Sequence, residues 1–295
     1  MNLSGSLVAL ITPMTDEGAV DYEALERLIE HHIQCNTHGI VPAGTTGEAS
    51  TLSPREHLEM VEATIKYVNK RVPVIAGTGA NSTSEAIYLT QQAYELGADA
   101  ALLVVPYYNK PNQNGLYQHY RSIAEAVPIP QVLYNVPGRT ITDLANETIA
   151  RLADIDNIVG LKDATGDLER GKKLIDLVGD KIAMLSGDDP TALEYMKLGA
   201  KGDISVTANV APALMSQMCE LALAGNFAEA ETIDSKLTGL HTSLFVEANP
   251  IPVKYAMHKL GFGADFLRLP LTSVSVEFHA EIESAMVLAE VEKVA

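Results

Sequence analysis

Two kinds of stretch alternate along the chain. Short runs of aliphatic and β-branched residues stand at "SLVALIT", "GIVPAG", "PVIAGTG", "AALLVVPYY", "PQVLYNVP", "IVGLKDA", "IAMLSGDD" and "GDISVTA". Each is followed by a longer stretch in which apolar residues recur at helical spacing. Ser53-Pro54 places a proline in a first helical turn, while "ELGAD" and "KLGAKG" place a glycine just past a helix end. The pattern predicts eight strand-helix units over about residues 6 to 225, averaging roughly 28 residues each. Strict alternation at that length matches an α/β fold of the (β/α)8 (TIM) barrel type.

The rival is a doubly wound sheet, which usually has fewer strands. It also carries a glycine-rich turn after its first strand, and "ALITPMTDEG" has no G-x-G-x-x-G. Beyond the last unit the apolar spacing is helical only, at about 226 to 246, 251 to 261 and 273 to 293. Without low-complexity or linker segments, the reading is one barrel, residues 1–225, with a C-terminal helical extension, 226–295.

One barrel strand holds an anomaly. The run Ile158, Val159, Leu161 reads as a buried strand, yet Lys162 closes it. Alternation puts Gly160, Lys162 and Ala164 on one face and Val159, Leu161 and Asp163 on the other. If the aliphatic face packs under helices, Lys162 points into the barrel near the carboxyl end of the sixth strand, where barrel chemistry gathers. A buried ammonium is costly unless paired, so Lys162 is either a structural lysine with a distant carboxylate or a reactive group.

Other strand ends carry matching chemistry. "GTTGE" after the second strand sets the hydroxyls of Thr45 and Thr46 among glycines whose backbone leaves amides open to an anion. "LYNVPGRT" puts Tyr134 on the fifth strand and Arg139 in the loop after it. A buried amine, a phenol, hydroxyls and a carboxylate-binding guanidinium are the components of Schiff-base chemistry on a keto acid. An exposed lysine is neutral in only about one molecule in a few thousand at pH 7, which is why such chemistry needs a buried site.

Composition removes several classes. The 295 residues, 47% hydrophobic, suffice for a large core. With 38 acidic against 21 basic residues, the net charge of −17 disfavours nucleic acid and anionic membranes as partners. No apolar run is long enough to span a bilayer, and "MNLSGSLVALITPM" lacks a basic region and a cleavage site. Cys35 and Cys219 lie far apart in helical patterns, so two thiols in a reducing, cytoplasmic setting are expected.

The motifs "GTTGEAS", "AGTGANST", "PYYNKP", "LYNVPGRT", "GLKDATGD", "LSGDD", "ISVTANVAP" and "NPIPVK" together resemble the dihydrodipicolinate synthase family, from residue 3 to about 270. The family belongs to the pyruvate-dependent class I aldolases related to N-acetylneuraminate lyase and serves diaminopimelate and lysine synthesis. The resemblance implies pyruvate and L-aspartate semialdehyde as substrates and no cofactor or metal. It implies an imine between Lys162 and pyruvate, with the pyruvate carboxylate on the amides of Thr45 and Thr46. Tyr134 would move protons, relayed by Thr45 and by Tyr108 from a neighbouring subunit. Arg139 would bind the semialdehyde carboxylate, and Gly187 and Ile204 would line the pyruvate pocket. Arg139 favours the synthase over related lyases of sugar acids. Gly138 departs from a serine common at its position, with little expected effect. A silent barrel that only binds a keto acid should have lost Lys162, Tyr134 or Thr45, and all three are present.

The resemblance further implies a homotetramer of two tight dimers and a feedback site for L-lysine built from Ala49, Ser50, His57, Asn81, Glu85 and Tyr107. Pro54 stands where strongly inhibited members have a histidine, so weak inhibition is expected. Other features point elsewhere. "AGTGANS" lacks the third glycine and lysine of phosphate loops. His31 and His32 are adjacent, which is not i, i+4 ligand spacing, and Asp188-Asp189 has no histidine cluster to complete a metal site. The Leu and Met residues of "APALMSQMCELALAG" read as core.

Overall fold

A computed structural model describes residues 3–291 and 293. Eight parallel strands run in sequence order around it: β1 (Gly5–Ala9), β2 (Gly39–Val41), β3 (Ile75–Gly77), β4 (Ala100–Val104), β5 (Gln131–Asn135), β6 (Ile158–Asp163), β7 (Ala183–Ser186) and β8 (Gly202–Ser205). β1 pairs with both β2 and β8, and a bridge between Ile40 and Val74 joins β2 to β3, closing the barrel. Seven of the eight predicted runs contain their strand, and β1 begins one residue before its run.

Alternation divides the apolar residues between two cores. Leu7, Val41, Ile75, Leu102, Val132 and Leu185 point inward and fill the barrel. Val8, Ile40, Leu103, Leu133, Leu161 and Met184 point outward beneath the helices. Val159 departs from the predicted face: it packs on the inward cluster rather than beside Leu161. The β5–β6 register shifts between Gln131 and Val132, so Ile158 and Gly160 take consecutive partners and Val159 is the extra residue of a bulge.

The outer layer comprises α1 (Tyr22–Gln34), α2 (Pro54–Val68), α3 (Thr83–Leu96), α4 (Gln113–Ala126), α5 (Pro137–Thr140), α6 (Asn146–Leu152), α7 (Leu168–Val178), α8 (Ala192–Lys197) and α9 (Pro212–Leu223). The start of α2 is a capping box: the Ser53 hydroxyl accepts from the Glu56 amide, the Glu56 carboxylate accepts from the Ser53 amide, and Pro54 occupies the first turn. The predicted stop at Gly97 is a left-handed residue after α3, φ 94°.

Three further helices follow, α10 (Phe227–Ser243), α11 (Ile251–Leu260) and α12 (His279–Leu288). The last is shorter than its pattern predicts. Ser275 donates its amide and hydroxyl to the Glu247 carboxylate and Ser273 its hydroxyl to the Asp265 carbonyl, bonds that hold 273 to 275 outside the helix. The predicted end at 293 falls in part on residues outside the description. The segment between α10 and α11 crosses the carboxyl end of the barrel and brings Phe245 and Asn249 over its mouth. Among the described residues, no helix is long and apolar enough to cross a membrane.

Candidate active site

Lys162 and Tyr134 are register partners at the carboxyl ends of β6 and β5, so both face the barrel interior at one level. They are 5% and 7% exposed, and the Lys162 Nζ lies 4.5 Å from the centre of the Tyr134 ring. Among the described residues no carboxylate pairs with Lys162. The contrast is Lys254 on α11, also buried, whose Nζ donates to Glu48 Oε1 and to the Thr12 carbonyl, each at 2.8 Å. Lys254 is the paired structural lysine of this barrel. Lys162 has its amine beside a phenol and open to a cavity, as a nucleophile requires.

That cavity, about 150 Å³, is walled by Thr45, Thr46, Tyr134, Arg139, Lys162 and Gly187, among others. On the β2 side the chain turns sharply, with Ala43 and Glu48 both left-handed at φ 53° and 56°. The amides of Thr45 and Thr46 donate to no acceptor among the described residues, leaving two N–H groups for an anion. Glu48 anchors this turn, because its other oxygen accepts from the Arg268 amide at 3.1 Å while Lys254 holds the first. Burial pushes the Lys254 amine below its usual range, and Glu48 opposes that shift. Thr46 is fixed from above by Asn249, whose amide nitrogen donates to its hydroxyl at 3.0 Å. The Asn249 carbonyl accepts from Arg139 at 3.1 Å, so the crossing segment ties the anion turn to the arginine.

The β7 side explains why position 187 is a glycine. An added Cβ there would lie 2.5 Å from Lys162 Cε and 2.8 Å from its Cγ. Ile204 sits in the apolar cluster filling the barrel, 1% exposed, and Val206 just beyond it reaches the cavity wall. Asp189 fastens the end of β8: its Oδ2 accepts from the amides of Val206 and Thr207 at 3.0 and 2.9 Å and from the Thr207 hydroxyl at 3.1 Å. Burial raises the Asp189 carboxyl, but His241, Asp203, Ser205 and the Thr207 amide outweigh it and bring the carboxyl below its ordinary value. Its buried neighbour Asp203 is pushed well up, first by burial and then by the Asp189 charge.

Two predicted groups stand apart from this cavity. Tyr108 is 88% exposed, in the loop after β4, with a left-handed φ of 75°. The residues predicted for a feedback site lie outside that cavity's lining. Ala49 and Ser50 form a 3-10 turn with Thr51, and Asn81 donates to the Tyr107 carbonyl at 3.2 Å. His57 is buried with Nε2 2.7 Å from the Gly77 carbonyl, so that nitrogen is engaged within the fold. Burial lowers its pKa, opposed by the Gly77 bond and by Glu85. Burial raises the Tyr107 hydroxyl, as does Glu85. Pro54 is exposed at the start of α2. Among the described residues, no group of three or more His, Cys, Asp and Glu side chains is arranged to hold a metal ion.

Sequence reasoning assigned no role to Phe245, Asn249 or Glu48. "NPIPVK" marked Asn249 and Lys254 as part of a pattern, but their work depends on contacts 203 and 206 residues away along the chain.

A closed barrel whose sixth strand carries an unpaired buried lysine near its carboxyl end, beside a phenol and facing free amides and a guanidinium, has the architecture of a class I aldolase. Comparison with known proteins agrees. The profile of the Dihydrodipicolinate synthetase family matches residues 2–288. The chain is 57% identical over 285 residues to 4-hydroxy-tetrahydrodipicolinate synthase of Marinobacter nauticus, covering 96% of this chain and 98% of that one. It superposes with a TM-score of 0.97 on the chloride-inhibited dihydrodipicolinate synthase of Acinetobacter baumannii complexed with pyruvate, at 56% identity and over 99% and 100% of the two chains. A dihydrodipicolinate synthase from Cyanidioschyzon merolae with lysine bound superposes at 0.94, with 39% identity over 97% and 98% of the two chains. This chain belongs to the dihydrodipicolinate synthetase family.

Proposed function

We propose that the chain condenses pyruvate with L-aspartate semialdehyde to 4-hydroxy-tetrahydrodipicolinate, the committed step toward diaminopimelate and lysine. The observation that carries this reading is Lys162, buried against Tyr134 with no carboxylate in salt-bridge contact among the described residues, and open to a cavity with two free amides. Lys162 attacks the pyruvate ketone and, with loss of water, becomes an imine. The pyruvate carboxylate rests on the Thr45 and Thr46 amides. Loss of a methyl proton gives the enamine, whose carbon attacks the aldehyde. The semialdehyde amine then displaces Lys162 and closes the ring. Tyr134 and Thr45 carry the protons, and Arg139, fixed by Asn249, receives the second substrate's carboxylate.

Tyr108 completes the proton relay across a subunit interface. An aromatic side chain 88% exposed on a left-handed backbone is a conformation held for use, and a partner subunit is its natural receiver. The assembly is a homotetramer of two dimers. L-Lysine binds weakly in the cluster of Ala49, Ser50, His57, Asn81, Glu85 and Tyr107. The unpaired thiols of Cys35 and Cys219 accord with a cytoplasmic enzyme.

Borohydride reduction with pyruvate present, followed by mass mapping, tests the central step. The expected result is a pyruvate-derived adduct on Lys162 and loss of activity. An adduct on Lys254, or none, would overturn the assignment, and faster cleavage of sugar acids than condensation would transfer the chain to the lyase branch.

A further inference from the structure

The geometry points to Arg170 as a positioning residue for the Lys162–Tyr134 pair. The residues after that pair, Asp163 and Asn135, are themselves register partners and face the helix layer by alternation. Both are buried, and both belong to one polar network whose hub is Arg170, the third residue of α7. Its Nη1 donates to both oxygens of Asp143 at 2.7 and 2.9 Å, and its Nη2 donates to the Leu144 carbonyl. Asp143 Oδ1 also accepts from the Asn135 amide nitrogen at 2.8 Å, and Asn135 Oδ1 accepts from the Leu144 amide at 3.0 Å. On the other strand, Arg170 Nε lies 3.9 Å from Asp163 Oδ2, while Asp163 Oδ1 accepts from the Thr165 amide at 3.0 Å.

The guanidinium therefore holds the Asp143–Leu144 segment that Asn135 binds at the end of β5 and lies beside Asp163 at the end of β6, from the helix side of the strands. Its own backbone is held by the cap of α7, where Asp167 accepts from the Arg170 amide at 2.9 Å. The guanidinium is only 14% exposed, so its contacts are poorly screened. Arg170, Asp143 and Asn135 do not line the substrate cavity, so the network acts on the nucleophile and phenol through the strands alone. A planar fork can hold both oxygens of an aspartate and a carbonyl from one position while its Nε faces Asp163, which a lysine cannot.

This inference rests on Lys162 as the imine-forming residue, and its test separates the two. In Arg170→Ala, kcat and the rate of pyruvate-dependent borohydride trapping should each fall roughly tenfold, since small misplacement of reacting groups is costly. The Michaelis constant for the aldehyde should stay within about twofold, because Arg139 is untouched. Guanidinium chloride at tens of millimolar should restore part of the rate by filling the vacated fork, and Arg170→Lys should not restore it. Asp143→Asn provides a second, milder cut of the same network and decides the matter if Arg170→Ala does not fold. Unchanged kcat and trapping per folded molecule, with only melting temperature lowered, would overturn the proposal. An absent Lys162 adduct in the unaltered enzyme would remove its premise as well.

Discussion

Gly187→Ala should separate catalysis from folding. The added methyl would lie 2.5 Å from Lys162 Cε, 2.8 Å from its Cγ and 3.0 Å from Ala164 Cβ. Carbon atoms rest comfortably at about 3.5–4.0 Å, so the shortfall at Cε is about 1 Å. Gly187 is absent from the left-handed residues, so alanine meets no backbone penalty there. The strand beneath is paired on both sides and cannot retreat, whereas the lysine tail borders a cavity and can. Stability should therefore fall by no more than about 1–3 kcal/mol, the ordinary cost of overpacking. A displacement of about 1 Å in the nucleophile, by contrast, can cost roughly a hundredfold in rate. Thermal melts, steady-state kinetics and borohydride trapping with pyruvate measure the two effects on the same samples. A folded Gly187→Ala enzyme with kcat and trapping within twofold of the parent would show that the amine's position is not set by the space at residue 187.

Further outcomes follow from the buried charges. Glu48→Gln leaves the Lys254 ammonium, 1% exposed, without its counter-charge, and urea unfolding should show a loss of about 3–5 kcal/mol; a loss below about 1 kcal/mol would contradict the role given to this pair. Burial holds His32 down to about 3 and His119 to about 4. As pH falls below about 6.5 the unfolded chain therefore takes up protons that the folded one refuses, so their contribution to stability, complete above that pH, declines toward about pH 4 for His119 and about pH 3 for His32. Each adds a slope of up to about 1.4 kcal/mol per pH unit, and His119→Gln should flatten urea-derived stability between pH 6.5 and 5, an unchanged slope counting against the assignment. L-Lysine should inhibit partially in the millimolar range, and Pro54→His should tighten inhibition several-fold by adding a contact of about 1 kcal/mol; insensitivity at tens of millimolar would exclude the feedback site.

The barrel was legible because its signal is periodic and local. Eight β-branched runs separated by helical spacing admit few folds, and strand alternation alone places Lys162 inward and Leu161 outward. The meeting of Thr45, Thr46, Tyr134, Arg139 and Lys162 at one cavity was legible for the same reason: residues at strand ends converge once the strands close into a ring. Where alternation failed, at Val159, the cause was a bulge set by the neighbouring strand and invisible in the run itself. The last helix began late because Glu247, 28 residues earlier, captures Ser275. Long-range contacts also decided which buried lysine is structural, since Lys162 and Lys254 both sit in apolar sequence and only the fold supplies Glu48 to one of them. The roof over the site has the same origin: Asn249 reaches Thr46 and Arg139 because the chain after α10 folds back across the barrel mouth. Periodicity reports which face of its own element a residue occupies. Which charge meets which partner is settled only when elements distant along the chain are packed together, and for buried polar groups that partner determines whether the charge is structural or reactive.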